Sequence, residues 1–270
     1  MIELSEVTFR YPGAAMPALA GVTLSLAPGE LVAVVGANGS GKSTLALLCD
    51  GLLLPERGTV SVDGVDTRDE TRVFEVRSRV GLVLQDPDDQ IVGTVVEEDT
   101  AFGPENLGVP RQELRRRVDD ALSAVGLSGL ERREPHLLSE GQKQRLAIAG
   151  ALAMRPGYLV LDEPTAMLDP RGRADVAAIL ARLAAEGTGV LHVTHRLADA
   201  VAASRVVALS EGTVAYDGPA EGLLGDAALM ASLGVSPPPL AELSAALRLL
   251  GVDVPAGADT PSAVLEALWG

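Results

Sequence analysis

Near the N-terminus, hydrophobic and polar residues alternate along the chain, and a continuous apolar run follows. Residues 2–11 have a two-residue period with a slip near Ser5, and residues 22–26 alternate cleanly before Pro28 and Gly29. This pattern predicts antiparallel strands joined by turns. Residues 31–35 are apolar throughout and mostly β-branched, which is typical of a strand that is buried on both faces.

Further along, apolar runs alternate with segments of helical periodicity. We predict strands at 59–63, 80–84, 158–161 and 190–193, helices at 45–54, 110–125, 146–154 and 174–185, and a hairpin at 205–216 around Glu211 and Gly212. Strands that alternate with helices predict an α/β fold with a parallel sheet, besides the antiparallel piece near the N-terminus. The composition changes at Pro237-Pro238-Pro239, after which we predict two short helices at 240–250 and 262–269.

Composition and charge limit the class of protein. The 270 residues suffice for one or two domains with a large core. The 22 Lys and Arg residues against 37 Asp and Glu give a formal net charge of −15, which argues against a nucleic-acid binder. The single Cys excludes a disulfide framework and a Cys-rich zinc site. No run approaches the ~20 apolar residues of a membrane span, and no signal segment opens the chain. We therefore expect a soluble, acidic, intracellular protein.

A phosphate-binding loop is predicted between the 31–35 strand and the helix that follows it. Residues 36–43 read Gly-Ala-Asn-Gly-Ser-Gly-Lys-Ser and match the pattern GxxxxGK[ST] in the strand–helix context that the motif requires. Backbone N–H groups of such a loop point at a phosphate, and the helix adds the positive end of its dipole. Lys42 would reach the β- and γ-phosphates, and Ser43 would bind Mg²⁺. The alternative is a glycine-rich turn with a chance Lys-Ser pair.

A second element supplies carboxylates. The apolar strand 158–161 delivers Asp162 at its carboxyl end, where parallel α/β sheets bind ligands. Asp162 would hold Mg²⁺, and Glu163 would polarise the attacking water. Taken alone, such an Asp-Glu pair is as consistent with a capped loop as with a metal or catalytic site.

Residues 138–145, Leu-Ser-Glu-Gly-Gln-Lys-Gln-Arg, lie between these two elements and resemble the LSGGQ signature of ATP-binding cassette (ABC) ATPases, with Glu140 in place of the first glycine. The other marks of that family follow in order. Gln85 resembles the Q-loop glutamine, Asp169 the D-loop aspartate, His195 the switch histidine and Tyr11 the adenine-stacking aromatic. Glu140 could weaken the signature, or it could face away from the nucleotide.

The resemblance covers about residues 1–218 and implies a P-loop ABC nucleotide-binding domain. This domain would have a RecA-like core, an N-terminal antiparallel β subdomain and an α-helical signature subdomain at about 88–150, with residues 219–270 as a C-terminal helical extension. It implies ATP and Mg²⁺ as cofactors and a head-to-tail dimer, either homomeric or with a related subunit. The resemblance assigns metal binding to Ser43, Gln85 and Asp162, and catalysis to Glu163, His195 and Gln85. It assigns contact with the nucleotide of the partner subunit to Ser139, Glu140, Gly141 and Gln142. The residues to which it assigns nucleotide binding within the chain are Tyr11, Gly36, Ala37, Asn38, Gly39, Ser40, Gly41, Lys42, Ser43 and Thr44.

Residues 85–110 narrow the resemblance to ABC ATPases of the energy-coupling factor (ECF) type, which power uptake of vitamins and of cobalt or nickel ions. Their Gln-x-Pro-x-x-Gln segment engages a transmembrane T component, which works with a substrate-binding S component. Here the segment contains Asp86, Asp88, Asp89 and Gln90, which would dock the partner. The stretch 85–110 holds seven acids and no Lys or Arg, interleaved with apolar residues. It would suit a partner helix that carries arginines.

These observations predict a peripheral ATPase on the cytoplasmic face of the cell membrane, where it drives an importer. One alternative is the ATPase of a conventional ABC transporter. A second is a soluble ABC ATPase of DNA repair or translation, which the net charge of −15 disfavours. A third is a cassette that does not hydrolyse ATP, for which Glu140 is the one hint.

Overall fold

The computed structural model of the chain describes residues 1–235, 239–250, 252, 254 and 261–269. Across these residues the strands are β1 Ile2–Phe9, β2 Leu19–Leu26, β3 Leu31–Val35, β4 Arg57–Val62, β5 Val65–Asp66, β6 Val80–Val83, β7 Tyr158–Asp162, β8 Gly189–Val193, β9 Arg205–Ser210 and β10 Thr213–Gly218. The α-helices are α1 Lys42–Cys49, α2 Val73–Arg79, α3 Val96–Asn106, α4 Arg111–Ala124, α5 Glu140–Ala153, α6 Pro170–Ala185, α7 Leu197–Ala200, α8 Ala220–Leu224, α9 Ala227–Ser232, α10 Pro239–Leu249 and α11 Pro261–Trp269. Two short 3-10 turns, Pro87–Asp89 and Pro135–Leu137, complete these elements.

The central sheet has six strands in the order β10-β9-β3-β8-β7-β6. Neighbouring strands run parallel except for the edge pair β10–β9, which is antiparallel. β3, β7 and β8 are buried along their whole length, as their continuous apolar runs predict. Because the strands are parallel, the carboxyl ends of β3, β7 and β8 meet at one edge of the sheet, which is where such sheets bind ligands.

The second sheet is antiparallel, with the strand order β2-β1-β4-β5. The register of β1 against β2 shifts between Leu4 and Val7, and Glu6 has a φ of 51° there. This irregularity is the slip that the sequence predicts near Ser5. The fully buried Leu45 of α1 belongs to a hydrophobic core that contains residues of both sheets, so α1 lies between them. The predicted α/β fold with an antiparallel N-terminal piece is confirmed.

Helices α3, α4 and α5 pack against one another and, through α5, against β6. Val118, Leu122 and Val125 are buried in their shared core, which continues into Leu159 and Leu161 of β7. The core residues of α4 are the ones that its apolar periodicity predicts. This packing fixes the start of α5, and with it the signature residues, relative to the central sheet.

Three helices begin earlier than their apolar periodicity predicts. The structure has α1 at Lys42–Cys49 instead of 45–54, α5 at Glu140–Ala153 instead of 146–154, and α6 at Pro170–Ala185 instead of 174–185. The first turns of these helices are polar or small, so their periodicity becomes visible only later in each helix. Helices α2, α3, α7, α8 and α9 have no counterpart among the predicted helices.

The C-terminal region begins after the hairpin of β9 and β10, whose turn residues Glu211 and Gly212 have φ values of 47° and 78°. α10 and α11 match the helices predicted at 240–250 and 262–269 to within a residue at each end. Residues 237, 238 and 270 lie outside the described part of the chain, so the composition change at 237–239 is only partly covered. The limits 1–218, 88–150 and 219–270 stay predictions. Among the helices that the structure describes, none is both long and apolar enough to cross a membrane.

Candidate active site

The predicted phosphate loop connects the end of β3 to the start of α1. A Cβ on Gly36 (φ 151°) would lie 2.3 Å from the carbonyl oxygen of Leu209, and a Cβ on Gly41 (φ 105°) would lie 2.5 Å from that of Ala18. Both distances are far shorter than van der Waals contact, so only glycine fits at these positions. The loop therefore packs tightly against its neighbours, and the free N–H groups at the start of α1 face the cleft.

Lys42, the first residue of α1, folds back onto this loop. Its Nζ donates hydrogen bonds to the carbonyl oxygens of Gly36 and Ala37, each at 2.9 Å. Burial lowers the pKa of Lys42, and the negative charges of Glu163 and Asp162 act in the opposite direction. The ammonium is thus a partly desolvated cation, and it can form strong, charge-assisted hydrogen bonds to phosphate oxygens.

Asp162 ends β7 and lies beneath the cleft beside Ser43. Its residue surface is 6% exposed, and Oδ1 has no hydrogen-bond partner among the described residues. Burial raises the pKa of the Asp162 carboxyl, which a hydrogen bond from Ser43 and the charge of Lys42 partly oppose. A buried carboxylate oxygen without a partner, next to a hydroxyl, is the kind of oxygen ligand set that Mg²⁺ prefers. These residues therefore fit a magnesium ion.

Glu163 and His195 meet between the loops that follow β7 and β8. His195 Nδ1 lies 2.5 Å from Glu163 Oε2, and the Glu163 N–H donates to the Val193 carbonyl at 2.9 Å. The Glu163 side chain is 10% exposed, against 45% for His195. The carboxylate therefore lies inside the cleft, and the imidazole lies at its rim.

Tyr11, which follows β1, also lines the cleft. Its ring stands at 89° to the ring of Phe9 with 4.9 Å between centroids, and its hydroxyl is 3.2 Å from Thr44 Oγ1. These contacts hold the ring at one edge and leave 42% of the residue exposed. An exposed, oriented aromatic face suits the stacking of a nucleotide base.

A cleft of about 410 Å³ brings most of the predicted site together. Ala18 and Ala166, which the sequence does not single out, also line it. The predicted residues that line it are Tyr11, Asn38, Gly39, Gly41, Lys42, Ser43, Thr44, Gln85, Glu163 and His195. Residues of the loop, Glu163, the glutamine and the histidine thus share one cleft in one chain, whereas Asp162 does not line it.

The predicted signature residues and Asp169 do not line this cleft. Ser139 caps α5: its Oγ accepts from the Gln142 N–H at 3.3 Å, and Gln142 Oε1 accepts from the Ser139 N–H at 3.0 Å. Asp169 caps α6 by accepting from the Gly172 N–H at 2.7 Å. Both segments are therefore capped helix starts, and neither lines the nucleotide cleft of its own chain.

Comparisons with known proteins agree with this geometry. A sequence profile described as ABC transporter matches residues 19–166. The energy-coupling factor transporter ATP-binding protein EcfA1 of Symbiobacterium thermophilum is 53% identical over 252 residues, which are 93% of this chain and 88% of that protein. The chain belongs to the ATP-binding proteins of energy-coupling factor transporters, within the ABC transporter family.

Two solved structures of ABC cassettes have the same fold. The structure of cbiO1 from Clostridium perfringens, described as part of the ABC transporter complex cbiONQ, gives a TM-score of 0.78 at 33% identity and covers 90% of this chain and 97% of that one. The dimeric structure of MJ0796, a bacterial ABC transporter cassette, gives a TM-score of 0.74 at 31% identity and covers 82% of this chain and 99% of that one.

In this ECF cassette, Glu140 is turned toward its own helix. Its Oε1 lies 3.3 Å from Nζ of Lys143, one turn further along α5. Lys143 Nζ also donates to Asp88 Oδ2 at 2.7 Å, and this hydrogen bond is the main cause of the raised pKa of Lys143. The carboxylate that departs from the family signature is therefore paired with a cation of its own helix.

The four predicted docking residues of the cassette divide into two kinds. Asp86, Asp88 and Asp89 are all exposed, and Asp86 also caps the Pro87–Asp89 turn by accepting from the Asp88 N–H at 2.9 Å. Gln90 is partly buried, and its amide accepts from the Leu84 N–H at 2.7 Å and donates to the Leu82 carbonyl at 3.0 Å. The amide of Gln90 fixes the turn to β6, and its contact with a partner stays a prediction.

The acidic stretch 85–110 is not one solvated face. Asp99 is buried, and its Oδ1 accepts from the N–H groups of Val92 and Gly93 at 2.8 and 2.9 Å. Glu97 is 15% exposed and pairs with Arg115 and Arg132 at 3.1 and 3.0 Å. The acidic surface of the cassette is therefore smaller than its sequence predicts, because these carboxylates find partners within the helical region.

A buried hydrogen bond beneath the site has no counterpart in the prediction. Thr165 Oγ1 donates to Asp199 Oδ2 at 2.7 Å, and the Asp199 side chain is 10% exposed. This bond joins the loop after β7 to α7, which follows His195. The two residues are far apart in sequence and belong to no motif, so their pairing is visible only in the folded chain.

Proposed function

We propose that this chain is the ATP-hydrolysing subunit of an ECF importer, and that it energises uptake of a vitamin or a transition-metal ion. The observation that carries the proposal is the single cleft that unites the phosphate loop, Gln85, Glu163 and His195 in a chain 53% identical to an ECF ATP-binding protein. Hydrolysis yields ADP and phosphate.

ATP binds with its phosphates in the loop and its base against Tyr11. The N–H groups at the start of α1 and the Lys42 ammonium hold the phosphate oxygens. Ser43, Gln85 and Asp162 hold Mg²⁺, which offsets the negative charge of the phosphates when it is bound. The unpartnered Oδ1 of Asp162 supports this assignment.

Glu163 is the general base of the proposed reaction. Its carboxylate lies inside the cleft, where it can accept a hydrogen bond from the attacking water. The hydrogen bond to His195 orients that carboxylate, and His195 at the rim contacts the γ-phosphate. Both groups are supplied by loops at the ends of buried strands, so little reorganisation is needed before the chemistry.

The second half of each ATP site comes from another subunit. Ser139, Glu140, Gly141 and Gln142 lie outside the cleft of their own chain and would bind the nucleotide of a partner in a head-to-tail dimer, with Asp169 at the interface. The dimeric cassette MJ0796 supports this arrangement. The pairing of Glu140 with Lys143 moderates the charge near that nucleotide, which favours hydrolysis over a purely structural cassette.

Membrane partners dock beside the Pro87–Asp89 turn, and the chain works as a peripheral subunit on the cytoplasmic face of the cell membrane. A groove of about 580 Å³ adjoins this turn and is lined by the exposed side chains of Phe74, Val92 and Phe102. A helix of the T component that carries arginines would contact both this groove and the acids of the turn, because Gln90, which directly follows Asp88 and Asp89 in the chain, lines the groove. The S component selects the substrate.

Coexpression with the membrane subunits tests the proposal. The tagged chain should copurify with the T and S components, and the double variant Asp88→Lys, Asp89→Lys should lose them. The matched control is Asp119→Lys, Asp120→Lys on α4, where the acids are 52% and 60% exposed but lie away from the groove. If the wild-type chain copurifies with no membrane subunit, the importer function is wrong. If the first variant still assembles, docking through these acids is wrong.

A further inference from the structure

The chain contains only two lysines among its 22 Lys and Arg residues. Lys42 is the lysine of the phosphate loop, and Lys143 lies in the signature helix, three residues after Glu140. The other 20 of these residues are arginines. A lysine differs from arginine in carrying a compact charge with three donors that can rotate between acceptors. Lys143 is thus the one lysine outside the phosphate loop, and its charge lies within reach of more than one acceptor.

Lys143 connects two segments that have separate tasks in the proposed function. Its ammonium is 2.7 Å from Asp88 in the Pro87–Asp89 turn, which is called the docking turn below, and 3.3 Å from Glu140, the first residue of α5. The Lys143 side chain is 12% exposed, whereas Asp88 and Glu140 are 59% and 54% exposed. A sheltered cation is thus shared by two carboxylates that partners can reach.

Both ends of this bridge are firmly attached to the fold. The docking turn is tied to β6 through the two hydrogen bonds of Gln90, and the start of α5 is tied by the reciprocal Ser139–Gln142 cap. Two paths connect Asp88 to the signature residues 139–142. The path through Lys143 is the short one, because the backbone between Asp88 and Ser139 runs through the whole of α3 and α4.

We infer that Lys143 is a positioning residue that couples partner docking at Asp88 to the signature segment, an inference that rests on the proposed function. An arginine of the partner helix that pairs with Asp88 competes with Lys143 and repels it. The ammonium then turns to Glu140, its remaining acceptor, and changes the position of the first turn of α5. Glu140 in place of glycine supplies this second acceptor, which gives the departure from the family signature a physical role.

The experiment compares rates of phosphate release by the complex with its membrane subunits and by the isolated chain, both at saturating ATP. In Lys143→Met, the ratio of the two rates should fall about threefold or more. In Lys143→Arg, it should stay close to the wild-type ratio. The matched control is Arg116→Met, which removes an exposed cation paired with Glu113 on α4 and should leave the ratio unchanged. Thermal unfolding and copurification check that each variant folds and assembles.

A second measurement uses the unmodified chain. Because there are only two lysines, a chain labelled with ¹³C and ¹⁵N at lysine gives two side-chain signals, and Lys143→Arg identifies the one from Lys143. Assembly with the membrane subunits should shift that signal. An unshifted Lys143 signal in an assembled complex, or an unchanged rate ratio in an assembled Lys143→Met variant, overturns the coupling role. Failure of the wild-type chain to assemble overturns the importer function instead.

Discussion

Glu163 has a backbone conformation that residues other than glycine rarely adopt. Its φ of 51° lies in the left-handed region, which costs about 1–3 kcal/mol for a residue with a side chain. Two contacts hold it there, the N–H bond to the Val193 carbonyl and the side-chain bond to His195. With this backbone conformation Glu163 lines the cleft, whereas the adjacent Asp162, which ends β7, does not.

Removal of the Glu163 charge tests its role as the general base. Glu163→Gln keeps the shape of the side chain and loses the proton acceptor, so steady-state phosphate release should fall by about a hundredfold or more. ATP binding does not need the carboxylate, so an ATP-bound dimer should accumulate and be visible by size-exclusion chromatography with ATP and Mg²⁺.

The control for that substitution is Glu186→Gln, at an exposed position where the glutamate pairs with Arg182 at 3.3 Å. It should leave turnover within the error of the wild-type value. Unchanged turnover in Glu163→Gln would show that another group activates the water.

Site residues within motifs can be predicted from the sequence, whereas the partners of isolated polar residues cannot. The glycine spacing at 36–41 predicts a loop in which few other residues fit at the glycine positions. The structure contains this loop, with no room for a Cβ at Gly36 or Gly41. Asp99 and Gln90 carry no such local requirement. Their roles depend on which backbone groups the fold leaves nearby, namely the N–H groups of Val92 and Gly93 and the end of β6.

At the scale of elements, the sequence predicts the limits of the buried strands better than the first residues of the helices. β3, β7 and β8 are runs of buried, largely apolar residues, and such runs show their limits directly. α1 and α5 begin with Lys42 and Glu140, and the first turns of both helices carry mostly polar or small residues. An apolar period cannot reveal turns of this kind, although the glycine before α1 and the serine before α5 are recognisable start signals.

The loops after β7 and β8 are connected beneath the active site by Thr165 and Asp199. Thr165→Val keeps the shape and removes the hydroxyl donor, which leaves a nearly buried carboxylate without that hydrogen bond. We expect kcat to fall about tenfold with little change in KM for ATP, because the bond joins the loop that carries Glu163 to the helix that follows His195, and neither Thr165 nor Asp199 lines the cleft. Steady-state kinetics at varied ATP concentrations measures both values.

Two variants separate this positioning effect from a loss of stability. Thr165→Ser restores the donor and should restore kcat. Thr71→Val removes a similar hydrogen bond, from Thr71 Oγ1 to Asp69 at 2.6 Å, in an exposed turn far from the cleft, and should leave kcat unchanged. A Thr165→Ser variant as slow as Thr165→Val contradicts the role of the hydroxyl.

At the scale of the whole molecule, two buried titratable groups make stability depend on pH in opposite directions. Burial raises the pKa of the Asp50 carboxyl, at the end of α1, to about 7, although the charge of Arg77 acts the other way. Burial lowers the pKa of His192 in β8 to about 4. Between about pH 4 and 6.5, Asp50 is ionised in the unfolded chain but protonated in the folded one, so its contribution to stability falls as the pH rises. In the same range His192 is neutral in the folded chain, and the unfolded chain loses its proton from His192 as the pH rises, so the contribution of His192 to stability increases.

Asp50→Asn separates the two contributions. The folded wild type keeps Asp50 protonated up to about pH 7, and the unfolded chain releases this proton near pH 3.8. Wild-type stability from this group is therefore fully present below pH 3.8 and is lost as the pH rises to about 7, on the order of 4 kcal/mol in all. Asparagine does not ionise, so the stability of Asp50→Asn relative to wild type should grow from pH 4 to pH 7 and stay constant above it.

Guanidinium unfolding of both proteins at intervals from pH 4 to pH 8 gives this difference directly, because the contribution of His192 is the same in both chains and cancels. Asp175→Asn, on the exposed face of α6, is the matched control and should give a difference that does not change with pH. A pH-independent difference for Asp50→Asn as well would mean that Asp50 is ionised in the folded chain throughout this range. The attraction of Arg77 would then exceed the cost of burying the carboxylate at the end of the helix that carries the phosphate loop.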